Sequence, residues 1–157
     1  MGTHAYRLPD EPLPSGLAKY AVDPLWPLLA FMLAGNGIGV VWFVFNSIAM
    51  GSPTRARELG YVATSLLGSV LLLLLLGMAR SNQWLDASQL RYAALSIITL
   101  KIAMAYVLYL AQSRCFEIWE HYGGQVRNGR PVLVLSWLLA KNLHLENWPA
   151  ALAVMVQ

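Results

Sequence analysis

Charged residues are scarce in this chain. Of its 157 residues, 12% are charged and 57% are hydrophobic, and the mean hydropathy is +0.51, whereas an average soluble domain carries about twice that charged fraction. The 11 Lys and Arg residues only slightly outnumber the 8 Asp and Glu residues and are scattered, so we expect no nucleic-acid partner. The composition predicts one helical bundle in a lipid bilayer.

The motifs of enzymes and metal sites are also missing. Cys115 is the only cysteine, which excludes intrachain disulfides and paired-cysteine metal sites. His4, His121 and His144 fall in three separate regions, and the sequence contains no His-Glu-x-x-His pattern, phosphate-binding glycine loop or Gly-x-Ser-x-Gly elbow. We therefore expect a protein without enzymatic activity, metal ion or other cofactor.

Long apolar runs, by contrast, dominate the chain. Asp23 and Pro24 are typical of a helix start, and Ser52 and Pro53 repeat that signal before the second run. Each run is long enough to cross a bilayer. The sequence predicts an all-α membrane protein, a bundle over residues 24–122 with three transmembrane helices at about 25–50, 59–79 and 92–111.

The third predicted helix extends beyond its apolar part. Asp86 and Gln89 have the spacing of a capping box at its start, and Gly123 and Gly124 favour its end. We expect the helix to project to residue 122, with aromatic and charged side chains that form a possible partner interface: Phe116, Glu117, Trp119, Glu120 and Tyr122.

The two ends of the chain differ from this bundle. Residues 1–23 are polar and proline-rich, which predicts an extended arm. After a turn-rich connector at 123–131, two apolar stretches too short to span a bilayer flank a polar segment that contains His144 and Glu146. We expect a broken C-terminal helical element that lies at the membrane interface or, as the alternative, enters the bilayer as a re-entrant hairpin.

The direction of insertion is weakly encoded in this three-span topology. Four basic residues fall on one side and five on the other: Arg7, Lys19, Arg80 and Arg91 against Arg55, Arg57, Arg114, Arg127 and Arg130. From the charges that flank the first span we expect the N-terminus outside and residues 112–157 in the cytoplasm. Short loops and compact size favour a bacterial inner membrane.

Lys101 is the most informative residue, because it lies near the middle of the third predicted span. A lysine at the bilayer centre costs about 2.5–3.5 kcal/mol, and the three predicted spans contain no Asp or Glu. Glu146, a carboxylate of a partner protein, a lipid phosphate or a water-filled path are the possible counterparts. Asn36 lies near the middle of the first span, so it can share the depth of Lys101.

Small residues near this depth offer a structural explanation instead. Gly35 and Gly39 have the Gly-x-x-x-Gly spacing that lets helices approach closely, and Ser65, Gly68 and Ser69 supply small residues on the second span. Under this alternative, Asn36 and Lys101 serve only a tight three-helix contact.

Two functions from different classes remain open. The first is a protein that binds or regulates another membrane protein, of the accessory, inhibitor or immunity type. The second is a homo-oligomeric channel or small transporter whose polar midplane site is lined by Asn36, Lys101, His144 and Glu146. Both require a lipid bilayer and either a membrane-protein partner or self-association.

Overall fold

The computed structural model describes residues 16–142, and this part of the chain is helical. It contains a short 3-10 helix at Ala18–Tyr20 and five α-helices, with no strand beyond an isolated bridge between Val22 and Arg127. The all-α class is therefore confirmed for the described residues. The helices are α1 (Leu25–Ala34), α2 (Asn36–Met50), α3 (Arg55–Ser81), α4 (Ala87–His121) and α5 (Arg130–Asn142).

Helices α3 and α4 form a long antiparallel pair, and both are long and apolar enough to cross a membrane. Their 27 and 35 residues correspond to about 40 and 52 Å. Only 17% and 22% of their most apolar stretches are buried, whereas the core helix of a soluble protein is mostly buried. Their outward faces carry exposed apolar side chains: Leu67, Leu71, Leu74, Leu75, Met78, Leu95, Ile98, Ile102 and Leu110.

Small residues line the contact between α3 and α4. Ser65 and Ser69 are buried, and a Cβ added to Gly68 would lie 2.8 Å from Cδ2 of Leu100. Small side chains at such a contact let two membrane helices approach closely. The predicted capping box is confirmed at the start of α4, where Asp86 N–H donates to Oε1 of Gln89 at 3.0 Å.

The single helix predicted over residues 25–50 is wrong, because the chain reverses at Gly35. This residue has φ 96° and ψ 166°, a conformation essentially confined to glycine. A Cβ added to Gly39 would lie 2.4 Å from Cα of Phe31, and Ala30 packs in one cluster with Trp42. Helices α1 and α2 therefore form a tight antiparallel hairpin.

This hairpin is too short to cross a bilayer. Its longer arm, α2, has 15 residues, or about 22 Å against a hydrocarbon thickness of about 30 Å. We call residues 34–36 the hairpin tip and residues 22–25 with 46–50 the hairpin base. Three transmembrane helices are therefore not confirmed, and two candidate spans remain, α3 and α4.

The hairpin base contacts the C-terminal end of α4, which corrects the expected projection of that helix into water. Helix α4 ends at His121, one residue before the predicted end, and Gly123 follows with φ 87°. However, Phe116 and Trp119 are buried in a cluster with Cys115 and the base residues Ala49 and Met50. They are not available as the predicted partner interface, because the hairpin base covers them.

Helix α5 starts beside the hairpin base and packs on α1. A Cβ added to Gly129 would lie 2.3 Å from Cγ of Trp26, so the chain passes directly over this ring. Leu133 then contacts the cluster that contains Ala30 and Trp42. The remainder of the predicted C-terminal element, residues 143–157, lies outside the described residues, as does most of the predicted arm.

Candidate functional site

A buried polar network joins the hairpin base to α3 and α4. Gln112 of α4 is its centre: its Nε2 donates to the carbonyl oxygen of Phe43 at 2.8 Å and to Oε2 of Glu58 at 2.9 Å. Its Oε1 accepts from Nδ2 of Asn46 at 3.4 Å. Because Asn46 and Gln112 are 0% exposed and Glu58 is 2% exposed, this network replaces water for three buried polar side chains.

Glu58 is a buried carboxylate held by neutral donors. Its Oε1 accepts from the hydroxyl groups of Ser52 at 2.5 Å and Thr54 at 2.7 Å, and its Oε2 accepts from Gln112. A buried charge is tolerated only when hydrogen bonds or an opposite charge replace its hydration. The turn before α3 supplies the two hydroxyl groups, so the start of α3 is built around this carboxylate.

Asn46 closes the hairpin base. Its Oδ1 accepts from the backbone N–H of Val22 at 2.9 Å, and its Nδ2 donates to the carbonyl oxygen of Val22 at 3.0 Å. One amide side chain thus satisfies both backbone groups of a residue that is 4% exposed. This pair fixes the segment before α1 against the end of α2.

A small cavity of about 140 Å³ adjoins the network. Ser47 and Arg55 line it together with Glu58 and Gln112. Oγ of Ser47 and Nε of Arg55 are buried and have no hydrogen-bond partner among the described residues. The volume suffices for several water molecules, which would have polar partners here.

A larger groove of about 490 Å³ lies at the hairpin tip, between α1 and α4. Phe31 and Met32 line it from α1, and Lys101 lines it from α4. Lys101 is 8% exposed. The remaining lining residues are Ala94, Ile97, Ile98 and Ile102 of α4, so a single charged side chain lies among apolar ones.

Asn36 and Lys101 lie at the same level of the bundle. Helices α2 and α4 run parallel, and Asn46 contacts Gln112 at a sequence offset of 66. The same offset places Asn36, which is 0% exposed, level with Ile102 and thus within one residue of the level of Lys101. The hairpin tip therefore places these two predicted site residues at about the same level of the bundle.

The other predicted site residues do not join them. Glu117, Glu120 and Tyr122 are exposed at the far end of α4, 16 to 21 residues and thus about 24–32 Å along the helix from Lys101. His144 and Glu146 lie outside the described residues, so their predicted place in the site stays a prediction.

The sequence reasoning missed the network residues Asn46, Glu58 and Gln112. Asn46 lies inside the first apolar run, while Glu58 and Gln112 lie one residue outside the second and third. The sequence does contain a signal for them: Asn46 and Gln112 lie near the C-terminal ends of the first and third runs, and Glu58 lies at the N-terminal start of the second. In an up-down-up arrangement, these three ends lie at one depth in the bundle.

Within residues 16–142, no group of three or more His, Cys, Asp or Glu side chains is placed to hold a metal ion. Comparison of the chain with models of known families, with curated proteins and with solved structures gives no match.

Proposed function

We propose that this chain is a multi-pass integral membrane protein that binds another membrane protein and has no enzymatic activity. Helices α3 and α4 cross the bilayer, and α1 and α2 enter it as a re-entrant hairpin. The observation that carries the proposal is the exposed apolar surface of α3 and α4, combined with polar side chains such as Gln112 and Asn36 that are turned inward. Lipid is the solvent that such a surface requires.

The positions of the basic residues support one orientation in the membrane. With a re-entrant hairpin, six basic residues of the described part of the chain lie at the end of the bundle that holds the hairpin base, and two lie at the other end: Lys19, Arg55, Arg57, Arg114, Arg127 and Arg130 against Arg80 and Arg91. Lys101 and Lys141 lie further along α4 and α5 and belong to neither end. For the same eight residues, the three-span topology gave five against three. By the positive-inside rule, the base end faces the cytoplasm, and the membrane we propose is a bacterial inner membrane.

In this orientation the described segments before α1 and after α4 lie on one side of the membrane, whereas the three-span topology places the N-terminus and residues 112–157 on opposite sides. Val22 pairs with Arg127 in an isolated bridge, and the backbone N–H of Arg127 donates to the carbonyl oxygen of Ala21 at 3.2 Å. The segment that leads into α1 and the segment that follows α4 are therefore at the same end of the bundle.

Binding to another membrane protein is favoured because the hairpin covers only part of α4. From Lys101 towards Ala87, α4 continues for 14 residues beyond the level of the hairpin tip, or about 21 Å. Tyr92, Leu95 and Ile98 are exposed along this half. A protein of the accessory, inhibitor or immunity type would use such a face to recognise its target.

One observation favours the alternative of a homo-oligomeric channel or transporter. Helix α2 begins at the hairpin tip, at about the level of Lys101, and helix N-termini near the midplane hold anionic substrates in several transporter folds. Two spans and one hairpin are too few to enclose a pore, so this function needs several copies of the chain.

Cysteine labelling tests the topology. In a Cys115→Ser background, a membrane-impermeant maleimide should label Ser88→Cys in intact cells, and should label Gly16→Cys, Ala56→Cys and Gln125→Cys only in inverted vesicles. All four positions are exposed. Labelling of residues 16 and 56 from opposite sides would restore a straight first span and contradict the re-entrant hairpin.

The mass of the detergent-solubilised complex and ion flux in liposomes separate the two functions. The binding function predicts no flux from the purified chain and a stoichiometric complex with one other membrane protein in native membranes. A homo-oligomer whose flux is lost in Lys101→Met would instead establish the channel function.

A further inference from the structure

The small cavity beside the polar network has two unlike ends. Arg55 and Ser47 line the end nearer the hairpin base, and apolar side chains such as Val62 line the end nearer the middle of the bundle. Ile48 of α2 and Leu59 of α3 also line the cavity and are 36% and 45% exposed, so it reaches the surface of the bundle between these two helices. Such a cavity suits a ligand with one polar part and one apolar part.

Two hydrogen-bonding groups at the polar end have no partner among residues 16–142. They are Oγ of Ser47, a residue that is 2% exposed, and Nε of Arg55, which is also buried. Leaving buried groups of this kind unpaired is unfavourable. Nε of Arg55 belongs to a cation and can only donate, so the complementary group is an acceptor with negative charge, such as a phosphate.

Glu58 does not supply that acceptor. It lies three residues after Arg55 on α3, but its Oε1 accepts from Ser52 and Thr54, and its Oε2 accepts from Gln112. The carboxylate is therefore held by the polar network, and Nε of Arg55 makes no hydrogen bond to it.

The end of the described chain leads away from this cavity. Gly129 passes over Trp26, and Leu133 contacts the cluster that contains Ala30, so α5 follows α1 from the hairpin base towards the tip. It ends at Asn142, about 20 Å along the helix from Gly129. The cavity instead lies at the base end, between α2, α3 and α4.

Arg55 has the depth of a phospholipid headgroup. It lies 14 residues before Ser69, the middle of the apolar run 59–79, or about 21 Å along α3. The hydrocarbon of a bilayer ends about 15 Å from its midplane, and the headgroups end at about 20–22 Å. Val62 lies only about 10 Å from the same midpoint, which is the depth of the acyl chains. The two ends of the cavity therefore match the two parts of one lipid.

Other ligands fit the cavity less well. Water or free inorganic phosphate would pair with Arg55 and Ser47 but would leave the apolar end without an apolar partner. A helix of another protein is about 10–12 Å across and does not enter a cavity of about 140 Å³. A single acyl chain can enter from the lipid side, between Ile48 and Leu59.

We propose that this cavity is a binding site for a phospholipid of the cytoplasmic leaflet. Nε of Arg55 and the hydroxyl group of Ser47 donate to the phosphate, and the start of one acyl chain lies against Leu59 and Val62. Basic pockets between membrane helices on the cytoplasmic side bind headgroups in this way. The proposal rests on the proposed function in one respect, the insertion of α3 and α4 with the hairpin base in the cytoplasmic leaflet.

The test measures lipid binding to the purified full chain by native mass spectrometry. The chain is solubilised in a detergent without phosphate groups and titrated with phosphatidylglycerol, and the dissociation constant of the first bound lipid is determined. Diacylglycerol with the same acyl chains lacks the phosphate, and inorganic phosphate lacks the chains. The two comparisons therefore separate the two parts of the proposed ligand.

We expect the first phosphatidylglycerol to bind about tenfold more tightly than diacylglycerol and to resist displacement by inorganic phosphate. Arg55→Met should weaken its binding about tenfold, the effect of one charge-assisted hydrogen bond, and Ser47→Ala should weaken it about threefold. Leu59→Trp enlarges a side chain at the exposed mouth of the cavity and should also weaken binding. Arg57→Met removes an exposed cation two residues from Arg55 and should change the constant by less than about twofold.

Four results would overturn the proposal: equal binding of phosphatidylglycerol and diacylglycerol, displacement of the lipid by inorganic phosphate, unchanged affinity in Arg55→Met, or equal losses in Arg55→Met and Arg57→Met. The last result would mean a general attraction to the basic end of the bundle. A wild-type chain that retains no lipid would equally overturn it and leave a cavity that holds water only.

A loss of folding is separated from a loss of the site by circular dichroism of each variant. Ser47→Ala removes a single hydroxyl group and keeps a small side chain, so it tests the site even where Arg55→Met does not fold. Failure of the proposed function would show as failed insertion or as the opposite labelling pattern, whereas correct labelling without lipid selectivity removes only this inference.

Discussion

Gly39→Ala is the sharpest test of the hairpin, because the two topologies predict opposite signs for its effect. In a straight helix over residues 25–50, replacing glycine by alanine stabilises the helix by up to about 1 kcal/mol. In the hairpin, the added methyl group meets the backbone of α1. The free energy of unfolding should therefore fall in the variant and not rise.

The magnitude follows from the contact distances. The new Cβ would lie 2.4 Å from both Cα and Cβ of Phe31 and 2.7 Å from its backbone nitrogen, whereas carbon atoms in contact prefer about 3.5–4.0 Å. Backbone atoms cannot rotate away, so α1 has to move by about 1 Å or more. Overpacking of this kind costs about 1–3 kcal/mol.

Gly77→Ala is the matched control. Gly77 lies in α3 and an added Cβ would meet no atom within 4 Å, so this variant should gain up to about 1 kcal/mol. The difference between the two variants should therefore be about 1–4 kcal/mol. Equilibrium unfolding in mixed micelles with increasing dodecyl sulfate, followed by circular dichroism, measures both. Equal stabilisation by the two substitutions would refute the close approach of α1 and α2.

Two further predictions concern the polar network. Asn46→Leu leaves the backbone N–H and carbonyl oxygen of buried Val22 without partners, so it should lower the free energy of unfolding by about 2–4 kcal/mol in the same micelle assay. The control Asn82→Leu removes an exposed side-chain hydrogen bond to the carbonyl oxygen of Met78 and should lower it by under about 0.5 kcal/mol. Similar losses in the two variants would show that the bonds of Asn46 to Val22 do not stabilise the hairpin base. Glu58→Gln places an amide NH₂ group among three hydrogen-bond donors and should lower the free energy of unfolding by about 1–2 kcal/mol. Glu117→Gln changes an exposed position and should leave the free energy of unfolding unchanged. An unchanged value for Glu58→Gln would contradict the hydrogen bonds from Ser52, Thr54 and Gln112 to the carboxylate.

The sequence predicted α3 and α4 well because their signals are local. The apolar runs at 59–79 and 92–111 lie within the observed helices Arg55–Ser81 and Ala87–His121. The start of α4 follows from a capping box formed by two residues three apart, and its end follows from a glycine with positive φ. Each of these features is decided by neighbours along the chain.

The hairpin was not predictable by the same means. Mean hydropathy over residues 25–50 is equally compatible with one helix that crosses the bilayer and with two short helices that fold back, since both bury apolar side chains in lipid. The choice depends on Gly35 and on Gly39, whose missing side chain admits Phe31. A Gly-x-x-x-Gly spacing indicates a close helix approach, but it does not say that the approaching helix is the preceding ten residues of the same chain.

The polar network at the hairpin base was also not predictable from the sequence, because its contacts join residues far apart along the chain. Gln112 meets Glu58 across 54 residues and Asn46 across 66, so the network exists only once α2, α3 and α4 are in register. That register confines the network to the hairpin base, whereas Lys101 lies 11 residues, or about 16 Å, further along α4 at the level of the hairpin tip.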